Sequence, residues 1–195
     1  MTQFEYLPGA TPLDPEEIDG LKLRHITTRN ELDRWEQENI QEAIGWLARK
    51  RKTDILTEEF ICILHTKMFG KVWKWAGSLR RTDKNIGVSY LQVRIELRQL
   101  LDNTKYWIEK GTLSPDEIAY RFHHKLVWIH LFPNGNGRHS RMMADLILEE
   151  IFGKKPFTWG KESLTSASTT RRHYIASLRS ADNEDYSALA DFVRS

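Results

Sequence analysis

The chain has 195 residues, 40% of them hydrophobic, with 29 basic against 27 acidic side chains and a net charge of +2. That is the size of one domain, and so small a charge excess supplies no argument for direct nucleic-acid binding. Cys62 stands alone, which excludes an internal disulfide. No apolar run approaches the roughly 18 residues of a membrane span, and the first residues have neither the basic nor the apolar region of a secretory leader, so a cytoplasmic location without a membrane partner is expected.

In chain order, residues 1–22 are rich in Pro, Gly and acid and have no periodicity, and they read as an arm laid on a domain that spans 23–195. Thr28 and Glu31 have the spacing of a capping box. Leu32, Trp35, Ala43, Trp46 and Leu47 follow at helical intervals, which predicts a first long helix over 28–48. Thr57 caps a second, with Ile61, Leu64 and Met68 on one face and Gly70 as its stop; Cys62 belongs to its apolar run. Residues 75–93 lose the helical period. Asp83, Lys84, Asn85 and Gly87 suit a turn between short β-leaning runs, so a small β-hairpin is predicted on an otherwise all-α fold. Val93, Leu97, Leu100, Leu101 and Ile108 mark a third helix that stops at Gly111. Ser114-Pro115-Asp116-Glu117 starts a fourth, with an N-cap, a proline at the first helical position and an acid at the third. Ile118, Phe122, Leu126 and Ile129 continue it. A fifth begins near Arg138 with Met143, Leu146, Ile147 and Ile151 as its stripe, and two shorter helices cover 168–178 and 186–193.

The joint between the fourth and fifth helices, HLFPNGNGRHSR over 130–141, carries the chemistry. Gly135 and Gly137 permit backbone angles closed to most residues. A turn of this kind before a helix aims several N–H groups at one point, where the helix dipole adds positive potential, which suits a phosphate. Arg138 and Arg141, three apart, can turn to the same side and hold phosphate oxygens bidentately. His130, at the end of the preceding helix, has the ordinary pKa of a general base for neutral pH. These groups suit phosphoryl or nucleotidyl transfer with a cation on the polyphosphate, to which Asn134 can offer a carbonyl oxygen, a weaker ligand than a carboxylate. Pro-Asn-Gly-Asn-Gly between helices is most often only a turn with Phe132 as its buried anchor, and no Gly-Lys-Ser/Thr follows as in a Walker loop. The fixed order of His130, Arg138 and Arg141 argues for more than a turn. His123 and His124 lack companion acids at metal-binding spacing and read as packed or solvated side chains.

HLFPNGNGRHSR resembles the H-x-F-x-[DE]-G-N-G-R-x-x-R signature of Fic (filamentation induced by cAMP) proteins at His130, Phe132, Gly135, Asn136, Gly137, Arg138 and Arg141. The resemblance runs from about Thr28 to Val193, includes the WAGSLRRTDKNIGV segment, and is nearest to the short bacterial proteins called mobile mystery protein B. It implies an all-α Fic-type domain that moves AMP from ATP, with Mg²⁺ or Mn²⁺, to a Ser, Thr or Tyr hydroxyl of a target protein. His130 is then the base and Gly135 to Gly137 the anion hole. Asn136 lies near the α-phosphate, Arg138 at the β-phosphate and Arg141 at the γ-phosphate. Asp83, Lys84, Asn85, Ile86, Gly87 and Val88 form a flap that clamps the target by strand pairing. Asn134 stands where the signature has its metal-binding acid. Family members also carry an inhibitory helix with the motif [ST]-x-x-x-E-[GN]; Glu38-Asn39 in the first helix matches it in part, with Arg34 in place of Ser or Thr. The same scaffold leaves open transfer of UMP, phosphate or phosphocholine, and a nucleotide-binding regulatory or toxin-like interaction protein with weak or no catalysis; it also leaves open an antitoxin or regulatory partner and a homo-oligomer.

Overall fold

The computed structural model describes residues 11–161, 164 and 168–195. Their helices are α1 (Pro15–Ile18), α2 (Arg29–Leu47), α3 (Glu58–Phe69), α4 (Val93–Lys110), α5 (Pro115–Ile129), α6 (Asn136–Leu146), α7 (Thr169–Ala181) and α8 (Ser187–Arg194), and α6 runs on into a π-helical turn, Ile147–Ile151. The ends follow from the caps. Glu31 N–H donates to Thr28 Oγ1 and the Glu31 carboxylate accepts from Thr28 N–H, the reciprocal pair that starts α2. Glu117 N–H donates to Ser114 Oγ at the head of α5, with Pro115 at its first position. Gly111 closes α4 at φ 60°, a left-handed angle that suits glycine.

α5 is the axis. It packs on α4, on α6 and on α8, while α2 lies along α3, and α3 reaches α6. Leu64, Leu97, Phe122, Ile129, Phe132 and Met143 are fully buried where these helices meet. This packing brings the C-terminus of α5, the N-terminus of α6 and one flank of α2 to the same place. Trp35 departs from the predicted apolar stripe: it is exposed, and Leu32, Glu36, Ile40 and Ala43 form the buried line of α2 instead. Cys62 is half-buried in α3, and burial pushes its thiol up to about 11, so it packs as an uncharged side chain. No helix among the described residues is long and apolar enough to cross a membrane.

The predicted β-hairpin over 75–93 does not form. Among the described residues the one β-bridge joins Leu21 to Trp73. Residues between α3 and α4 make an irregular loop, because side chains take the backbone groups a ladder would pair. The Arg80 guanidinium is buried under the loop. Its Nε donates to the His130 carbonyl at 2.6 Å and its Nη1 to that of Thr82 at 2.8 Å; Nη2 donates to Val88 and to Ile129. The Asp83 carboxylate accepts from Tyr90 N–H at 2.7 Å. One cation thus stitches the loop to the end of α5. Arg80→Ala strands several buried carbonyls and is expected to lower the unfolding free energy by roughly 3 kcal/mol or more. A denaturation midpoint equal to that of the native chain contradicts this role.

Five histidines are buried: His65, His123, His124, His130 and His139. Burial is the main cause that moves each below its usual pKa, to about 4 for His130 and His139. The unfolded chain therefore takes up protons below pH about 6.5 that the folded chain refuses, so stability falls as the pH drops from there toward about 4. His130 and His139 each account for a loss of order 3 kcal/mol across that window. Asp145, raised to about 6 by burial, works in the opposite direction and offsets part of it. Melting temperature by calorimetry is expected to drop steadily between pH about 6.5 and 4; a level profile contradicts the account.

Candidate functional site

α5 ends at His130, whose φ of 59° and ψ of 66° are left-handed, an uncommon conformation for a residue with a side chain. Arg80 holds it there through the His130 and Ile129 carbonyls. Gly87 crosses directly over the histidine: a Cβ on Gly87, whose φ is 97°, would stand 2.6 Å from His130 Cβ. Burial first, and then the nearby charges of Arg80 and Lys84, hold the imidazole down to about 4, against a smaller opposing pull from the Val127 carbonyl. At neutral pH it is therefore an uncharged imidazole. Its Nε2 lies 3.0 Å from the hydroxyl of Thr11.

The turn after His130 is built from inside. Asn136 spends its amide on one residue: Phe132 N–H donates to Asn136 Oδ1 at 2.9 Å, and Asn136 Nδ2 donates to the Phe132 carbonyl at 2.7 Å. The Asn136 side chain closes the loop, and what it offers a ligand is its backbone N–H. Phe132 is buried and stacks on His65 at 3.7 Å. His65 Nε2–H donates to the Asn134 carbonyl at 3.0 Å, and Gly77 N–H donates to His65 Nδ1 at 3.0 Å, which defines a neutral ring that braces the turn. Gly135 has φ 78°, and a Cβ there would meet the Phe69 ring at 2.7 Å, so both backbone and space demand glycine. Gly137 differs from the expectation: it lies in the first turn of α6 with ordinary helical backbone, and the nearest atom to a Cβ is the Tyr174 hydroxyl at 3.8 Å. Its bareness keeps open space above the helix end. No side chain caps the α6 N-terminus, so its first N–H groups and the dipole point into that space.

Beyond it lies a cleft of about 1010 Å³, lined by His130, Asn134, Gly135, Asn136, Gly137, Arg138 and Arg141. That volume accommodates a nucleotide. Arg29, Arg171 and Arg179 also line it, against the acids Asp33 and Asp182, so the cleft is strongly basic. Arg141 lies over the Tyr174 ring at 5.5 Å, and Tyr174, buried, exchanges a hydrogen bond with His123 Nε2 at 3.1 Å. His124 meets Asp182 at 2.9 Å. Both histidines are therefore engaged in side-chain hydrogen bonds. Arg171 was not singled out from sequence; only its place on α7 brings it beside Arg138 and Arg141, whose charges it feels.

α2 places a carboxylate here, and it is not Glu38. Glu38 is exposed and pairs with Arg34 at 3.3 Å on the outer face, and Asn39 is buried with its amide on the backbone of Lys67 and Lys71. Glu36, 2% exposed, turns inward. Its Oε1 accepts from Trp73 Nε1 at 2.6 Å and its Oε2 is 2.8 Å from Arg138 Nη1, an ion pair without an aligned N–H. The physical reason is helical register: Glu36 sits four residues from Leu32 and from Ile40, on the buried line, whereas Glu38 is more than half a turn away.

Of the loop residues, Ile86 and Gly87 line the cleft, Val88 gives its carbonyl to Arg80, and Asp83 is 3.6 Å from the same guanidinium. Asn85 is exposed. Lys84 points elsewhere: it binds Asp14 at 2.7 Å and Glu17 at 2.6 Å. Asn134 accepts its neighbour's N–H on Oδ1 at 2.6 Å, and no group of three or more metal-ligating His, Cys, Asp or Glu side chains occurs among the described residues. The residues present do not fit a protein-held metal ion.

Fold and cleft together define a helical domain with a basic cleft at the α6 N-terminus beside an uncharged histidine. The chain belongs to the Fic/DOC family, whose sequence profile matches residues 55–148. It is 35% identical over 123 residues to protein adenylyltransferase fic-1 of Caenorhabditis briggsae, which covers 61% of this chain and 22% of that protein. It is 31% identical over 152 residues to the Caenorhabditis elegans protein of the same name, covering 74% of this chain and 27% of the relative. The chain thus spans about a quarter of the length of these relatives. Among solved structures, Fic-1 of C. elegans superposes with a TM-score of 0.60 and 26% identity over 80% of this chain and 45% of that one. The BepC protein of Bartonella tribocorum, solved with bound AMPPNP, gives a TM-score of 0.69 at 17% identity over 93% and 97%, a likeness of fold.

Proposed function

We propose that this chain transfers AMP from ATP to a hydroxyl of a protein. The observation that carries the reading is that uncharged His130 opens onto the same cleft as the uncapped α6 N-terminus and Arg138 and Arg141. Relatives named protein adenylyltransferase and the AMPPNP-bound neighbour support the choice of ATP as donor. In the proposed reaction the β- and γ-phosphates rest on the two guanidiniums and the helix end. His130 Nε2 removes the proton of the incoming hydroxyl. Its oxygen bonds to the α-phosphorus as the bond to the bridging oxygen breaks, and pyrophosphate leaves with the charge the arginines hold. Any divalent cation belongs with the nucleotide as substrate, because no group of three or more metal-ligating side chains occurs among the described residues. The domain is taken to run over 23–195, with 1–22 as an arm and a target protein as partner.

The Glu36–Arg138 ion pair competes with a phosphate for one arginine, so the arrangement is a restrained one. Incubation with cell extract and ATP labelled at either the α- or the γ-phosphate tests the reading. Protein-bound label from the α-position alone is expected. Label from the γ-position alone would assign phosphate transfer, and equal labelling from UTP would assign a different nucleotide.

A further inference from the structure

We infer that Thr11 of the N-terminal arm is itself an acceptor: the chain modifies its own Thr11 in cis, an inference that rests on the transfer reading above. The Thr11 hydroxyl is 3.0 Å from His130 Nε2, although 119 residues separate them in sequence, and Thr11 is 7% exposed on the wall of the cleft. That is the position an acceptor hydroxyl must take to lose its proton to this ring. The arm is fastened at Thr11 and along the residues that follow it. Asn134 Nδ2 donates to the Thr11 carbonyl at 3.4 Å, and Pro12 disfavours helical backbone at Thr11. Leu13 is buried, Asp14 accepts from Thr82 Oγ1 at 2.8 Å and from Lys84 Nζ at 2.7 Å, and Glu17 adds a second carboxylate to Lys84 at 2.6 Å. Trp75 Nε1 donates to the Glu17 carbonyl at 2.9 Å. The arm therefore lies on the loop where an outside target segment would sit. Asn134, at the position of the family's acid, has its amide on this segment.

The step balances as the general reaction does. Thr11 Oγ1 forms the bond to the α-phosphorus of ATP, its proton goes to His130 Nε2, the bond from phosphorus to the bridging oxygen breaks, and pyrophosphate departs. The product is a phosphodiester between Thr11 and AMP. Because acceptor and base share one chain, the rate constant is independent of protein concentration.

The test uses the full chain, both native and Glu36→Gln, with α-labelled ATP and Mg²⁺, at protein concentrations over a roughly tenfold range, followed by peptide mapping. Label on the arm peptide at Thr11 is expected at an unchanging rate constant. It should vanish in Thr11→Val and in His130→Ala and persist in Thr11→Ser. Thr11→Val should also increase labelling of proteins in added extract, since the arm no longer competes with a reactive hydroxyl of its own. Label on extract proteins or elsewhere on the chain, with none at Thr11, overturns the inference and leaves the transfer reading standing. A rate constant that grows with protein concentration overturns the in-cis geometry. No label on any protein in either form removes the transfer reading and this inference together.

Discussion

His130→Ala is expected to lower AMP transfer roughly 100- to 10,000-fold, the usual contribution of a positioned general base. The ring is already uncharged, with its pKa held near 4 by burial and by Arg80, so no proton must leave before it acts. The sign of the pH dependence follows. Transfer at saturating ATP should stay level from about pH 8 down to about pH 5 and fall only as the ring charges near 4. An unperturbed histidine would instead halve the rate near pH 6.5. In the proposed reaction the nucleotide is held by other groups, namely the α6 N-terminus, Arg138 and Arg141, so ATP affinity should survive the substitution. The left-handed backbone at position 130 is held by Arg80 through carbonyls, which alanine retains, so the loss is one of chemistry. Single-turnover rates across pH, with calorimetric ATP titration of both forms, separate these effects. A large loss of ATP affinity with an unchanged rate at saturation would assign His130 to binding.

Glu36→Gln is expected to raise ATP affinity about tenfold or more. The substitution removes the charge that faces Arg138 at 2.8 Å and keeps an amide oxygen for Trp73 Nε1 to donate to. Arg138 then meets phosphate without first leaving a carboxylate. A charge-assisted contact is worth roughly 1.5–3 kcal/mol, and each 1.4 kcal/mol is tenfold in affinity. Glu38→Gln is the control: its carboxylate is on the exposed face with Arg34, so affinity and transfer should not change. Titration calorimetry of the three forms decides the matter. Equal affinity in all of them, or a gain confined to the Glu38 variant, would exclude Glu36 as the restraint.

Much of this was legible in the sequence because it is local. Caps at Thr28 and Ser114 and the stop at Gly111 are decided within a few residues, and the structure has them where the spacing put them. The turn from His130 to Arg141 is similarly short-range, and its groups do meet in one cleft. What escaped depends on contacts distant in sequence. Arg80 organises the loop through carbonyls 49 and 50 residues away, so its role has no local signature. Loss of helical period over 75–93 was read as strand, yet side chains there satisfy the backbone in an irregular path. His65 braces Asn134 from another helix. Glu36 had a usable signal: a carboxylate on the line Leu32, Ile40, Ala43 must be buried and so needs a buried cation. The partial motif match at Glu38-Asn39 has no such support from register, since Glu38 lies on the exposed face.

The most direct test of the cleft as an AMP-transfer site is a crystal structure of Glu36→Gln with a non-hydrolysable ATP analogue. The account predicts the β- and γ-phosphates on the first N–H groups of α6 with Arg138 and Arg141, and the α-phosphorus facing the point now taken by the Thr11 hydroxyl, beside His130 Nε2. A γ-phosphate at that point, or a triphosphate bound away from the α6 N-terminus, would contradict it.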